Sequence, residues 1–387
     1  MRIVCPDVGT NALGRAQLLG ELAACSGHDV AVLGALLGDG DVWSPARSSD
    51  IDVRPLRIRR RADYPMAVRW LASQLRGARV VVSKPLVTSL GLTLAAGVSR
   101  RSLLLDTDDW ELGMKRTHGP RGTRARVREF LNPRAHNSYA STHGLDRAVR
   151  AFPHRLVSST WLARRFGGRV LPHVRDTEWL DPRKHDRGAS RAQLGLRAEG
   201  FWVGFVGTPR AHKGLDELVT AVRQAGPPTS LFMAGADPRD PYAGRLLSTA
   251  ARALGDRLVT APTFPFSALP ETLAACDAVA LPNRDDPSAW GQVPAKLFDA
   301  MAMAKPIVAT NVGETGRILG SGDGIVVPPG DVGELADAMH TLATDRTAAE
   351  RIGQRARSRA ERDFSIGRGA SILSRALAEV APSCGGC

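Results

Sequence analysis

Short apolar runs alternate with longer amphipathic stretches along the chain, the pattern of α/β units in which each buried strand is followed by a helix. Residues 1–5 read as a first strand, a loop with Gly9 and Gly14 follows, and 15–26 has helical periodicity. Gly27 and His28 end that helix, and 29–33 predicts a second strand. Residues 80–82 and 103–106 add strands to this half. Beyond Leu171 and Pro172 a polar, Arg- and Asp-rich stretch running to Arg191 predicts a linker. A second series then begins, with strands over 201–206, 230–234, 257–260, 278–281, 306–310 and 324–327. Helices over 214–224, 268–275 and 296–303 lie between them. The expectation is an α/β chain of two Rossmann-like domains, residues 1–172 and 173–366, facing across a cleft. A last helix, 367–380, can return to the first domain. In such sheets ligands collect beyond the carboxyl ends of the strands.

A length of 387 residues suits two domains of about 150–200 residues each. Hydrophobic content of 43% with 24% charged residues fits a folded globular chain. No apolar run approaches the ~20 residues that cross a bilayer. The start, Met1 to Pro6 followed by Asp7 and Gly9, does not read as a secretion signal. A cytoplasmic protein is expected, working there or at the inner face of the membrane. Cys5, Cys25 and Cys276 stand alone in apolar surroundings and read as reduced, packed thiols. Cys384 and Cys387 supply half of a four-ligand zinc site, so no metal is expected from them.

The net charge of +13 is mostly arginine, concentrated at 57–61 and between Lys115 and Arg128. Aromatic residues make up only 5%, and no basic stripe is interleaved with them, so nucleic acid is not an expected partner. A solvated arginine-rich surface is one reading of the charge. Peripheral contact with an anionic membrane, or an acidic acceptor, is the other.

Two segments carry chemistry. In Phe205-Val-Gly-Thr-Pro-Arg-Ala-His-Lys-Gly-Leu a strand ends at Gly207, and Arg210 and Lys213 stand just before a helix opening at Gly214. Fixed cations beside amide-rich helix starts bind diphosphates, although the same residues also suit a solvated loop. In the second segment, Leu281 to Thr310, a strand gives way to a polar loop and then to a helix beginning near Lys296 and Asp299. A carboxylate there can accept hydrogen bonds from two neighbouring ribose hydroxyls.

As an ordered set these segments resemble the family-4 retaining glycosyltransferases of the GT-B fold. The resemblance rests on Gly207, Arg210, Lys213 and Gly214, on Asp299 through Thr310, on Val312-Gly313-Glu314, and on Gly324 through Asp331. It covers nearly all of residues 155 to 365 and implies that Gly207, Arg210, Lys213 and Gly214 bind the donor diphosphate while Asp299 holds the ribose. Three departures stand out. Gly291 occupies the place of the family's first glutamate, so sugar contacts would come from Trp290-Gly291-Gln292-Val293 or from Asp285 or Asp286. Thr208 replaces an arginine, leaving Arg210 to supply that charge. Ala304-Lys305 replaces the glycine that usually ends the helix.

The first half is less specific. Gly14, near a helix start, suits close approach to a phosphate, and Lys84 follows a strand where it can meet an anion. Leu105-Asp106-Thr107-Asp108-Asp109-Trp110-Glu111 places acids at a strand end. Asp106 is assigned to acceptor binding and Asp108 to a catalytic role, with helix capping and a Mg²⁺ site as the other readings of these acids. His118, His136 and His143 fall in a basic loop region. The resemblance implies a hexosyltransferase that takes a nucleoside diphosphate sugar as co-substrate and needs neither metal nor cofactor. Its acceptor would be a small molecule, a glycan or a lipid-linked sugar. A noncatalytic sugar-nucleotide-binding partner of another transferase is the alternative.

Overall fold

Strand β1 (Arg2–Cys5) buries Ile3, Val4 and Cys5 in succession, which requires cover on both faces of the sheet. A computed structural model of the chain describes residues 1–43 and 50–380; Cys384 and Cys387 lie outside the described residues. The chain divides into two units. Of the described residues, those within 1–173 and 367–380 form the first, and Val174–Ile366 the second.

The first unit holds β1, β2 (Ala31–Leu37), β3 (Asp52–Ile58), β4 (Val81–Ser83), β5 (Leu103–Thr107), β6 (His154–Val157) and β7 (Arg169–Val170). All neighbours are parallel, in the order β3-β2-β1-β4-β5-β6-β7. Strand β3 escapes the sequence pattern because Arg54, Pro55 and Arg57 break its apolar run. It is an edge strand pairing only with β2, where a proline and charged side chains are tolerated. The region expected as basic loop holds three helices, Glu111–His118, Thr123–Leu131 and Tyr139–Ala148. His118 ends the first, His136 sits buried against the hydroxyl of Tyr64, and His143 stacks on Tyr139. The last helix, Ile366–Val380, brings Ser374 Oγ to 2.8 Å from Ser26 Oγ and pairs Glu379 with Arg169.

The second unit holds β8 (Phe201–Val206), β9 (Thr229–Ala234), β10 (Leu258–Ala261), β11 (Ala278–Leu281), β12 (Ile307–Thr310) and β13 (Ile325–Val327). They run parallel in the order β10-β9-β8-β11-β12-β13. Phe201, Val203 and Phe205 of β8 pack into the layer that carries helices Leu215–Ala225 and Val332–Thr344, while Trp202 faces the opposite layer. The stretch expected as a linker belongs to this unit. Its helix Arg187–Leu194 buries Arg191, which donates to Ala275 O at 3.0 Å and to Asp277 at 2.5 Å. Arg175 joins the chain near Phe364 through backbone bonds of 2.8 and 3.1 Å. These arginines are buried cross-links, so the polar composition of the stretch does not make it a linker.

In each sheet the strand order reverses once, between β1 and β4 and between β8 and β11. Ligands of open parallel sheets bind beyond the carboxyl ends of the strands at such reversals. The topology therefore marks Pro6 and Lys84 in the first unit, and Gly207 and Pro282 in the second.

Candidate functional site

At the end of β8 the backbone turns at Gly207 with φ +126°, and a Cβ there would lie 2.9 Å from Lys296 Nζ. Gly214 has φ +64°, and a Cβ would lie 1.8 Å from the carbonyl of Pro282, beyond β11. Only glycine fits either place. Between them the loop is fixed by its own cations. Lys213 Nζ donates to Thr208 O at 2.7 Å, and Arg210 pairs at 3.2 Å with Asp240, the N-cap of helix Pro241–Leu254. Burial, then Arg210, lower the Lys213 pKa to about 8. From the β11 side Arg284 chelates Glu217 at 2.6 and 2.9 Å, and its amide donates to His212 O. Thr208 and Arg210 are themselves exposed. The reversal thus carries a rigid loop with cations on one rim.

Helix Ala295–Ala302 faces this loop and carries two further groups one turn apart. Asp299 is buried, and its Oδ1 accepts from Arg175 Nε; Arg175 also donates to Ala295 O at 3.1 Å. Arg175 was not singled out from sequence, where it is one of several arginines in the polar stretch expected as a linker. Lys296 has a buried Nζ with no hydrogen-bond partner, 3.9 Å from the centre of the Phe205 ring. Burial, then Lys213, push its pKa well below the usual lysine value, with Asp299 opposing. Lys296 was given no role from sequence; its place just after the proline that precedes the helix was the available signal.

The segment expected to read the sugar is a tight turn. Gly291 has an ordinary φ of −88°, and the amides of Gly291 and Gln292 both donate to Ala289 O. Those two donors are therefore spent within the turn. Val293 is a core residue packed with Leu297 and Phe298. Trp290 is 37% exposed and donates from Nε1 to Asp285 at 2.6 Å. Asp286 caps the short helix Pro287–Trp290. Of the residues named for sugar contact, Asp285 and Trp290 are exposed, Asp286 and Gln292 are half-buried, and Gly291 and Val293 are buried.

In the first unit the marked reversal holds two buried ion pairs. Arg15 donates to both oxygens of Asp106, at 2.9 and 3.2 Å, and also to the carbonyls of Leu171 and Pro172. Asp106 therefore binds the first helix to β5, and both its oxygens are occupied. Lys84 Nζ lies 2.5 Å from Asp108 and 3.7 Å from Glu111. Burial would lower the Lys84 pKa, yet Asp108, Glu111 and Asp109 together raise it. Burial likewise favours neutral Asp108, but Lys84, Arg15 and His173 outweigh it and hold the carboxyl at about 2. Asp108 is thus an ionised partner of Lys84, and Lys84 is no surface lysine. The first helix starts at Ala12, so Gly14 lies in its opening turn with φ in the ordinary range. Among the described residues no three acidic, His or Cys side chains are placed to hold a metal ion.

Residues 200–345 match the family model described as glycosyl transferases group 1. Over 156 residues the chain is 28% identical to alpha-D-kanosaminyltransferase of Streptomyces kanamyceticus, 39% of each protein. Over 185 residues it is 30% identical to D-inositol 3-phosphate glycosyltransferase of Nocardia farcinica, 45% of this chain and 40% of that one. The chain spans about two fifths of the length of these two curated relatives. Among solved structures, HepE of Anabaena in complex with UDP and glucose superposes with a TM-score of 0.75 over 98% of this chain and 99% of that one, at 19% identity. The two parallel sheets with their helices are thus the GT-B fold, and within it residues 200–345 match the glycosyl transferases group 1 family.

Proposed function

We propose that this protein is a retaining glycosyltransferase that moves a hexosyl group from a nucleoside diphosphate sugar to an acceptor hydroxyl in bacterial glycan or natural-product biosynthesis. The observation that carries this reading is the glycine-built loop at the β8–β11 reversal, with Arg210 and Lys213 on it and Asp299 beside it. Departure of the diphosphate develops negative charge, and cations already fixed by Asp240 and by the Thr208 carbonyl meet it without reorganisation. Asp299, oriented by Arg175, keeps a second carboxylate oxygen for a ribose hydroxyl. The bond from the anomeric carbon to phosphate breaks while the acceptor oxygen bonds on the same face. The acceptor proton passes to the departing phosphate, so no protein nucleophile, metal or cofactor is invoked. The UDP and glucose held by HepE support a UDP-sugar as the first donor to test.

The acceptor belongs to the first unit in this reading, as a small molecule, a glycan or a lipid-linked sugar. Among the described residues no helix is long and apolar enough to cross a membrane. A surface patch in the first unit does favour peripheral contact from the cytoplasmic side. Phe130 and Leu131 are 49% and 71% exposed at the end of the arginine-rich helix Thr123–Leu131. Exposed Arg59, Arg60 and Arg134 line an adjoining groove of about 420 Å³ with Met66.

A thermal-shift screen over UDP-, GDP- and dTDP-sugars tests the donor reading. A true donor at 100 times its dissociation constant adds about 2.7 kcal/mol of stability. Lys213→Ala and Asp299→Asn, shown to be folded, are expected to lose that gain. If none of these donors stabilises the unaltered chain, or if both variants keep the gain, the assignment fails. Gly291, where the family has an acid, favours a second reading as a noncatalytic binding partner; release of nucleoside diphosphate from a bound donor excludes it.

A further inference from the structure

Two buried lysines of the second unit differ in one respect. Lys305 Nζ donates to the carbonyls of Ala274 and Cys276, at 3.1 and 2.7 Å, and closes the end of its helix onto the neighbouring loop. Its burial is explained by structure. Lys296 Nζ is buried and donates to nothing. An ammonium with three unmade hydrogen bonds is among the costliest groups to keep inside a protein, and folded chains retain such groups where a ligand completes them.

The surroundings of Lys296 specify the ligand. Its Nζ lies over the face of Phe205, whose ring also has Lys213 Nζ at 5.9 Å. It points at the open side of Gly207, where any side chain would collide with it. The carboxylate one turn along its helix, Asp299, is engaged by Arg175 and forms no hydrogen bond with it. Two lysine amines therefore lie near one ring, Lys213 tied to the Thr208 carbonyl and Lys296 untied beside a glycine whose bare backbone admits close approach. An anion there would give Lys296 its missing acceptor.

We propose that Lys296 is a third cation of the donor site, donating from Nζ to a diphosphate oxygen of the bound nucleoside diphosphate beside Gly207. This rests on the reading of residues 200–345 as the nucleotide-sugar domain. It adds, on the facing helix, a cation to the two carried by the loop. There the lysine is rigidly placed, one turn from the residue assigned to the ribose.

Calorimetric titration of Lys296→Met with UDP, GDP, dTDP and uridine tests this. The nucleoside diphosphate that the unaltered chain binds is expected to bind the variant about 10- to 100-fold more weakly, the worth of a hydrogen bond to a charged group. Any binding of uridine should stay the same. Without ligand the variant should melt at the same temperature or higher, because methionine removes an unsatisfied amine and keeps its volume. If Lys296→Met lowers the melting temperature, Lys296→Gln takes its place with the same expected loss. A folded variant of either kind that holds the diphosphate at full affinity, while Lys213→Ala does not, overturns the role of Lys296 and leaves the nucleotide site standing. Failure of the unaltered chain to bind any of the three diphosphates overturns both.

Discussion

An alanine at position 214 would keep a left-handed backbone and drive its Cβ to 1.8 Å from the Pro282 carbonyl. Backbone strain of this kind costs about 1–3 kcal/mol, and displacement of the carbonyl adds to it. Gly214→Ala is therefore expected to lose at least that much stability in urea denaturation and to weaken nucleotide binding as the loop moves. An unchanged unfolding midpoint would refute the steric account. Gly207, Lys213 and Gly214 were legible in the sequence because they fall within eight residues and their spacing before a helix has a local meaning. Arg175 and Lys296 were not. The bond from Arg175 to Asp299 spans 124 residues, and the exposure of Gly207 to Lys296 depends on how β8 and β11 bring two loops together. Such pairings have no signature in a single sequence.

The end of β5 shows the same limit for a whole element. Sequence put acids beyond a buried strand, and the structure agrees, but it could not show the cations that face them from the first helix and from β4. Asp108 is held at about 2 in the folded chain against about 3.9 for a free aspartate. A depressed carboxyl contributes stability above its unfolded pKa and loses that contribution as pH falls towards the folded value. Lys84→Met removes the main opposing charge, so burial then governs and raises the Asp108 pKa. The cost of Lys84→Met is accordingly expected to be large at pH 7, on the order of 3–5 kcal/mol for breaking a buried pair, and clearly smaller near pH 3.5. Urea denaturation at both pH values measures it. An equal cost at the two would show that Lys84 acts through packing rather than charge. The edge strand β3 was missed for a related reason: its arginines read as surface charge, which they are, and its pairing with β2 is set by the neighbour.

For the molecule as a whole, the +13 charge leaves a choice between a generally solvated surface and a docking face, and placement decides between them better than number. The basic stretch at 57–61 and the helix Thr123–Leu131 are tied together. Arg61 donates from its backbone to Pro133 O and from its side chain to Ala135 O, and its guanidinium lies 5.4 Å from the Phe130 ring. That contact sets Arg59, Arg60 and Arg134 beside two exposed apolar side chains at a helix end. A merely solvated surface has no need of Phe130 and Leu131 there, whereas an interfacial site uses apolar anchors ringed by cations. Each basic side chain near an anionic leaflet contributes about 1 kcal/mol, weakened as salt shortens the Debye length. Sedimentation with vesicles of phosphatidylglycerol and phosphatidylcholine should therefore show binding that rises with the anionic fraction and falls between 50 and 500 mM salt, roughly the range over which screening tightens from above 10 Å to below 5 Å. Phe130→Ser with Leu131→Ser should weaken it at every salt concentration, since the apolar contribution is not screened. Arg59→Glu with Arg60→Glu should remove most of the salt-dependent part. Equal binding to purely neutral vesicles, or none to anionic ones, would return the arginines to the role of solvated surface and place the acceptor in bulk water.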